Sequence, residues 1–125
     1  MLSENLLVTA RRCIESTYDG LCDLVEFGNK TDPITQITSK QETVVAEKIP
    51  CRISFEKTVA AAQTDAAAAV LQTIKLFIAP EVRITEGTKI IVTQNGNTSE
   101  YSLSGKPAVY ATHQEIILEM FRGWA

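Results

Sequence analysis

The chain has 125 residues, the length of one ordinary domain that can bury its own core. Hydrophobic residues make up 45% and charged residues 22% of it, which is typical of a globular protein and argues against disorder. The net charge is −3, and lysines and arginines are scattered apart from the pair Arg11-Arg12, so the charge pattern does not favour nucleic-acid binding. We therefore expect one folded domain spanning residues 1–125.

Targeting signals and paired cysteines are not evident. The N-terminus lacks the basic start and apolar stretch of a signal peptide, and no apolar run approaches membrane-spanning length. We therefore expect a soluble protein made in the cytoplasm, without a membrane partner. Cys13, Cys22 and Cys51 form no C-x-x-C unit, and Cys22 and Cys51 fall at inward strand positions. We expect reduced core thiols rather than a zinc or redox site.

The first predicted element is a helix over residues 3–17. Ser3 can cap it, and Glu4 suits the positive end of the helix dipole. Gly20 is expected to end it, because glycine tolerates the left-handed geometry of a helix terminus. One apolar stripe, which could pack on the same chain or on a neighbouring subunit, is formed by Leu2, Leu6, Ala10, Cys13 and Ile14.

From Leu21 onward the hydrophobic period changes to that of strands. Turn residues cluster over 28–33, Pro50 is expected to break a strand, and Asn95-Gly96 is the preferred pair for a tight hairpin. Inward positions are expected at Cys22, Leu24, Cys51, Ile53, Phe55, Ile74, Leu76 and Ile78, with Glu26 a further candidate. Strands are predicted over residues 21–27, 36–46, 50–56, 72–79, 88–94, 97–103 and 113–121.

The last of these segments is ambiguous. As a helix, it would begin with a capping box formed by Thr112 and Glu115. As a strand, it would point Ile116, Leu118 and Met120 inward, and its β-branched residues favour this interpretation. The fold class predicted is mainly β: a small antiparallel β-barrel of about six strands with one N-terminal α-helix and a long inter-strand loop.

No catalytic or cofactor-binding pattern is found. His113 is the single histidine, so a histidine-based triad or metal site would need unusual partners. Glu115 and Glu119 are expected to be solvated, and Gly105-Lys106 lacks the other residues of a phosphate loop. We expect no enzyme activity, no cofactor, no metal and no small-molecule substrate.

An alanine-rich segment interrupts the strand pattern between Val59 and Gln72. It could be a short helix on the barrel, since alanine is the strongest helix former. It could be an exposed strand edge, although alanine is depleted in strands. The interpretation we prefer is a flexible excursion between strands that becomes ordered only when subunits assemble.

Residues 74–124 carry a family resemblance. The turn Glu86-Gly87 precedes the strand KIIV, a glycine turn and a strand with an aromatic residue follow, and a segment of the type H-x-E-I-x-L begins at His113. Together with PCRISF at 50–55, this phrasing resembles small tailed-bacteriophage proteins that join head to tail. These are the head-closure (stopper) proteins and the minor capsid proteins of prophages of Gram-positive bacteria.

The resemblance implies a β-barrel protein that assembles as a ring beneath the portal, at the head-tail interface of the virion. Its partners would be other copies of itself, the portal or adaptor, and tail proteins. In stopper proteins a loop between two strands projects toward the channel and helps retain DNA, and residues 57–71 occupy a comparable place. An acidic chain would meet DNA by steric blocking rather than by neutralising phosphates. The residues that the resemblance assigns to subunit or channel contacts are Gln63, Asp65, Ala66, Ala67, Ala68, Ala69 and Gln72.

Two other classes of function stay open. One is an OB-like barrel that binds a peptide or an oligonucleotide, which a basic concave face would support. The other is a small hydrolase, for which the sequence offers no nucleophile elbow.

Overall fold

The computed structural model describes residues 4–59 and 70–124, which form one helix and seven strands. The helix α1 spans Glu4–Glu15. The strands are β1 (Gly20–Thr31), β2 (Thr38–Val59), β3 (Val70–Ile78), β4 (Lys89–Gln94), β5 (Asn97–Leu103), β6 (Ala108–Val109) and β7 (Gln114–Met120).

Six of the strands close into a ring in the order β3-β2-β1-β4-β5-β7, because β7 also pairs with β3. Every pairing in the ring is antiparallel, and the short β6 adds to the edge of β7 beside β5. The predicted fold class is thereby confirmed: the chain is mainly β and barrel-like, with one helix. The segment after His113, for which helix and strand were both open, is a strand.

The core lies inside the ring and consists of alternate residues from each strand. Its fully buried side chains are Cys22, Cys51, Leu76, Ile78, Ile90 and Ile116. The Asn95-Gly96 hairpin joins β4 to β5, and both residues have the positive φ that such a turn requires (53° and 77°). At one end of the ring, the buried Gln114 amide donates to the carbonyls of Ala79 and Val82 and fastens the loop after β3.

The prediction of two strands at 36–46 and 50–56 is wrong, since β2 runs through Pro50 without a break. Pro50 pairs with Leu21 in β1, while β3 pairs with β2 only from Cys51 onward. Pro50 therefore stands where the outer edge of β2 is unpaired and its missing N–H breaks no ladder. The register with β1 shifts on either side of Leu24, which brings the consecutive residues Leu24 and Val25 both into the core.

Residues 28–31 were predicted to form a turn but belong to β1, which pairs with β2 as far as Thr31 and Thr38. The turn itself covers 32–37, where the Asp32 amide donates to the Ile37 carbonyl and the Gln36 amide to the Asp32 carbonyl. The sequence cues over 28–33 therefore overlap only the N-terminal part of the turn, residues 32–33.

Several predicted inward positions are exposed instead. Phe55 and Met120 continue the alternation of β2 and β7 but lie beyond the packed core, and both are more than half exposed (54% and 53%). Glu26 is exposed too, while Ile74 is half-buried against the core. Where a strand extends past the residues that pack on it, its side chains still alternate between the two faces but are no longer buried.

Helix α1 packs on a different stripe from the one predicted, and it has no fully buried residue. Leu6 and Cys13 are exposed, while Leu7, Ala10 and Ile14 are half-buried. Leu2 and Ser3 lie outside the described residues. Arg11 ties the helix to the loop after β3 through a bidentate pair with Glu81, and it also bonds Glu15 at 3.0 Å; the hydrogen bond to Glu81 raises the Arg11 pKa further.

Gly20 does not end the helix, because α1 stops at Glu15 and Gly20 is the first residue of β1. A Cβ there would lie 3.0 Å from Gln94 Oε1 and 3.2 Å from the Cys51 carbonyl. Ile53 lies beyond the first pair of β1 and β2, Gly20↔Cys51, so β1 offers its backbone no partner. The Gln94 side-chain amide takes that place: its oxygen accepts from the Ile53 N–H (2.8 Å) and its NH₂ donates to the Ile53 carbonyl (3.1 Å). Glycine is needed for close approach rather than for a left-handed turn.

Candidate functional site

Beyond the ring, β1 and β2 continue together as a free two-stranded ribbon, here called the arm (residues 26–45). β4 pairs with β1 only as far as Val25, so the arm has no third strand. Six cross-strand pairs, from Glu26↔Thr43 to Thr31↔Thr38, give it a length of about 20 Å. Every residue of the arm is exposed. A two-stranded ribbon with both faces in water is marginal by itself, which suits a segment that is stabilised by a partner.

The tip of the arm is apolar. Ile34 is 90% exposed and Ile37 65% exposed, and no other large hydrophobic residue of the described chain is as exposed as Ile34. The tip is nevertheless ordered by its own hydrogen bonds, since the Asp32 carboxylate accepts from the amides of Ile34 (2.8 Å) and Thr35 (3.4 Å). The tip therefore exposes the aliphatic side chain of Ile34 beside the Asp32 carboxylate, which makes no ion pair among the described residues.

The base of the arm is held by the C-terminal residues 121–124, here called the brace. The Trp124 indole stacks on Phe27 with ring centroids 5.0 Å apart, and its Nε1–H donates to Glu42 Oε1 at 3.0 Å. Phe121 contacts the Trp124 ring edge-on at 5.0 Å, and its amide bonds the Glu100 carbonyl of β5. The brace thereby joins both arm strands to the body of the ring.

Lys89 provides the electrostatic part of this contact. It is 7% exposed, and its ammonium lies 2.9 Å from Glu42 and 3.5 Å from Glu100. It also lies over the rings of Phe121 (5.1 Å) and Trp124 (5.4 Å). The hydrogen bond between Lys89 and Glu42 raises the pKa of Lys89 and lowers the pKa of Glu42, to which the Trp124 hydrogen bond also contributes.

Strands β2 and β3 remain paired beyond the residues of β3 that contact β7, and the alanine-rich residues 60–69 between them lie outside the described residues. Their register continues to Val59↔Val70, so the segment between the strands is 60–69, shorter than the 57–71 predicted. Gln72, one of the predicted contact residues, is an exposed residue of β3 opposite Lys57. The other predicted contact residues, Gln63, Asp65 and Ala66–Ala69, lie outside the described residues.

A groove of about 430 Å³ lies between the C-terminal end of α1 and the outer face of the ring. Its lining is mostly apolar and comprises Cys13, Ile14, Thr17, Tyr18, Arg52, Ser54, Phe77 and His113. Arg52 and Ser54 alternate with the core residues Cys51 and Ile53, which places the groove outside the barrel.

Two polar groups of the groove have no partner among the described residues. Within residues 4–59 and 70–124, the buried Tyr18 hydroxyl makes no hydrogen bond, and burial raises its pKa. Arg52 is exposed and forms no ion pair with any described residue. The guanidinium of Arg52 therefore suits the groove to a ligand that carries an anionic group.

His113 stands at one side of the groove in a small polar network. Its ring bonds the Thr112 hydroxyl through Nδ1 and Glu115 through Nε2, both at 2.9 Å, and stacks on Tyr110 at 5.0 Å. The hydrogen bond from His113 lowers the pKa of Glu115, and Lys75, 3.4 Å away, adds to the effect. Hydroxyl, imidazole and carboxylate stand in the order of a catalytic relay, but Thr112 does not line the groove, so a ligand there would not meet its hydroxyl.

The cysteines separate into two kinds. Cys22 and Cys51 are buried free thiols, and their mutual hydrogen bond together with burial raises the Cys22 pKa. Cys13 is an exposed free thiol in the groove, not the core thiol that was expected. Over residues 4–59 and 70–124, no three His, Cys, Asp or Glu residues converge as metal ligands.

Within residues 4–59 and 70–124, no helix has the length and apolar character to cross a bilayer.

Sequence reasoning missed the arm, the brace and the groove. The arm had one usable signal: between Gly28 and Val44 almost no alternation of apolar residues occurs, although β-branched residues persist. The brace had none, because Phe27, Glu42 and Trp124 are distant in sequence. The groove depends on where a helix crosses a sheet, which no local pattern specifies.

Comparisons with known proteins give little beyond these observations. No protein-family model matches the chain, and no curated protein matches it. Among solved structures, the chain is similar to the phage-like element PBSX protein xkdH from Bacillus subtilis. That likeness has a TM-score of 0.48 and 17% sequence identity, and it covers 80% of this chain and 91% of that chain. A likeness at this level assigns neither fold nor function.

Proposed function

We propose that this protein is a structural assembly protein of a phage or prophage head-tail connector. It forms a ring under the portal, contacts portal or adaptor and tail proteins, and helps close the DNA-filled head. Its work is contact with other subunits, not catalysis. The observation that carries this proposal is the arm, a paired segment of about 20 Å in which every residue is exposed and only the base contacts the body of its own chain.

An ordered but fully exposed arm favours a protein that acts by assembly. Its backbone order costs conformational entropy that the chain's own packing does not offset. Contact of Ile34 and Ile37 with another subunit would bury apolar area and offset that entropy. Large exposed apolar side chains at a projecting tip are typical of interaction sites.

The paired strands β2 and β3 support the same proposal. Their register continues to Val59↔Val70, so they flank the part of the sequence in which the resemblance expects a loop that approaches the channel. Small side chains allow several copies of that loop to crowd around one axis. The resemblance over 50–55 and 74–124 supplies the phage context.

The alternatives have less support. An oligonucleotide-binding barrel needs a basic face, but three of the basic side chains, Arg11, Lys75 and Lys89, are engaged with carboxylates. A hydrolase would need a nucleophile that is both in the groove and bonded to a general base, but the hydroxyl that bonds His113 belongs to Thr112, which does not line the groove.

The test is deletion of the gene from its parent phage or prophage, followed by electron microscopy of the particles. We expect packaged heads that lack tails and lose DNA to nuclease, restored by the wild-type gene supplied in trans. Intact, infectious tailed particles after deletion would contradict the proposal. Tight, salt-dependent binding of a purified monomer to a single-stranded oligonucleotide would favour the OB-like alternative.

A further inference from the structure

The arm tip and the groove lie at opposite ends of the same strand. β1 enters the ring at Gly20, two residues after the groove residue Tyr18, and leaves it as the arm after Val25. The arm then extends about 20 Å farther from the groove. A tip therefore points away from the groove of its own chain.

The two sites are complementary in chemistry. The tip presents the aliphatic side chain of Ile34 beside the Asp32 carboxylate. The groove offers an apolar lining of Ile14 and Phe77 together with the guanidinium of Arg52.

We propose that the arm tip of one copy docks into the groove of the next copy, with Ile34 on the apolar lining and Asp32 paired with Arg52. This inference deepens the proposed assembly function and rests on it. The contact is heterologous, because two different surfaces meet. A heterologous contact repeats from copy to copy and yields a ring when the rotation closes.

Charge and apolar burial act together in this contact. The Asp32 carboxylate is organised by the amides of Ile34 and Thr35, so it meets Arg52 without rearranging the turn. Such preorganisation lowers the entropy lost on docking. Neither charge has another ion-pair partner among the described residues, so docking breaks no existing salt bridge.

The native Cys13 allows a direct test, because it is an exposed thiol in the groove, whereas Cys22 and Cys51 are buried. An Ile34→Cys variant keeps a small apolar side chain at the tip. Incubated with oxidised glutathione at about 1 mM protein, where contacts with millimolar dissociation constants are populated, it should form a ladder of disulfide-linked oligomers. The ladder should disappear in the Ile34→Cys, Cys13→Ser double variant. The matched control is Lys40→Cys, which places a thiol on the side of the arm and should form no such ladder.

Charge reversal provides the second test, on the cross-linking background. Asp32→Asn keeps the oxygen that accepts the turn hydrogen bonds and should reduce the cross-linked fraction several-fold. Asp32→Lys or Arg52→Glu alone should do the same, and the two together should restore it. Circular dichroism melting of each variant shows whether the monomer remains folded.

The outcomes separate this inference from the proposed function. Oligomers seen by sedimentation without the 13–34 disulfide would overturn the docking contact and leave the assembly function standing. A disulfide within one chain would mean that the tip reaches its own groove, which overturns the proposal. Failure of the charge-reversal pair to recover would also overturn it.

Discussion

Strands β1 and β2 run through both the ring and the arm, but their side chains are buried only in the ring. In the ring, β1 buries Cys22, Leu24 and Val25, and β2 buries Cys51 and Ile53. In the arm, every residue is exposed, and Phe27 is covered only in part, by Trp124. Backbone pairing is continuous through both regions, apart from the shifts around Leu24. Hydrogen bonding therefore does not distinguish the two regions; side-chain burial does.

The difference shows where stability and function reside. The ring is closed and supplies the buried area that folds the chain. The arm adds little buried area, so its residues are free to change for contact with other subunits. The brace and Lys89 join the two regions through side chains, at Phe27 and Glu42, so the state of the body can influence the arm there.

Leu76→Ala should have the largest effect on the free energy of unfolding. Leu76 is fully buried in β3 between β2 and β7, and its truncation leaves a cavity that costs about 2–5 kcal/mol. The matched variant at the arm tip, Ile34→Ala, should change the free energy of unfolding by less than about 0.5 kcal/mol. Urea unfolding of both variants measures the contrast. Equal costs would mean that the tip is part of the folded core.

Trp124→Ala should have a smaller and more local effect. It removes the stacking on Phe27 and the hydrogen bond to Glu42, a loss of about 1 kcal/mol. We expect faster hydrogen exchange for the amides of the arm, with little change in those of β3 and β7. Trp124→Phe keeps the stacking and loses only the hydrogen bond, so its exchange rates should lie between those of the wild type and Trp124→Ala. Uniform acceleration across the chain would contradict a local brace.

The elements that sequence predicts best are those with strict alternation and local turn chemistry. The strands around Cys51, Leu76 and Ile116 alternate because each has one face in the core. Asn95-Gly96 specifies its turn within two residues. Both signals are local, and both are visible in a single chain.

The errors arise where tertiary context decides. Pro50 would break a central strand, but its outer edge is unpaired, a fact that depends on where β3 ends. Gly20 is a residue type that often ends helices, but here glycine fits because the Gln94 side chain, distant in sequence, lies close to its Cα. Phe55 and Met120 alternate correctly and are exposed because the core ends before them. The arm, the brace and the groove all belong to this second class.

Acid should loosen the arm through Glu42. The hydrogen bonds with Lys89 and Trp124 hold the pKa of Glu42 below the ordinary value of 4.5. The stability that the ionised Glu42 gives is therefore fully present above pH 4.5 and is lost as the pH falls through its folded-state pKa. Trp124 is the single tryptophan of the chain and contacts Glu42, so its fluorescence reports the change. We expect a fluorescence transition below pH 4.5 that is absent in Glu42→Gln. Because Glu81 and Glu115 also have lowered pKa values, overall acid unfolding is not a substitute measurement. A transition of the same size in Glu42→Gln would show that other carboxylates govern the brace.

Substitution of Ala66–Ala69 by lysine or phenylalanine should have the smallest effect on the monomer and a large one on assembly. If copies of this segment crowd around the axis of a ring, bulky or like-charged side chains will prevent its closure, while the ring of strands within each copy is untouched. The thermal midpoint of the isolated protein should stay within the range of ordinary surface substitutions. In the parent phage, the variant heads should lose DNA to nuclease. Ala111→Lys changes an exposed alanine in a bend of the body and should leave DNA retention intact. Full DNA retention by the Ala66–Ala69 variants would mean that the segment lies away from the axis, and the arm would then be the surface through which the copies meet.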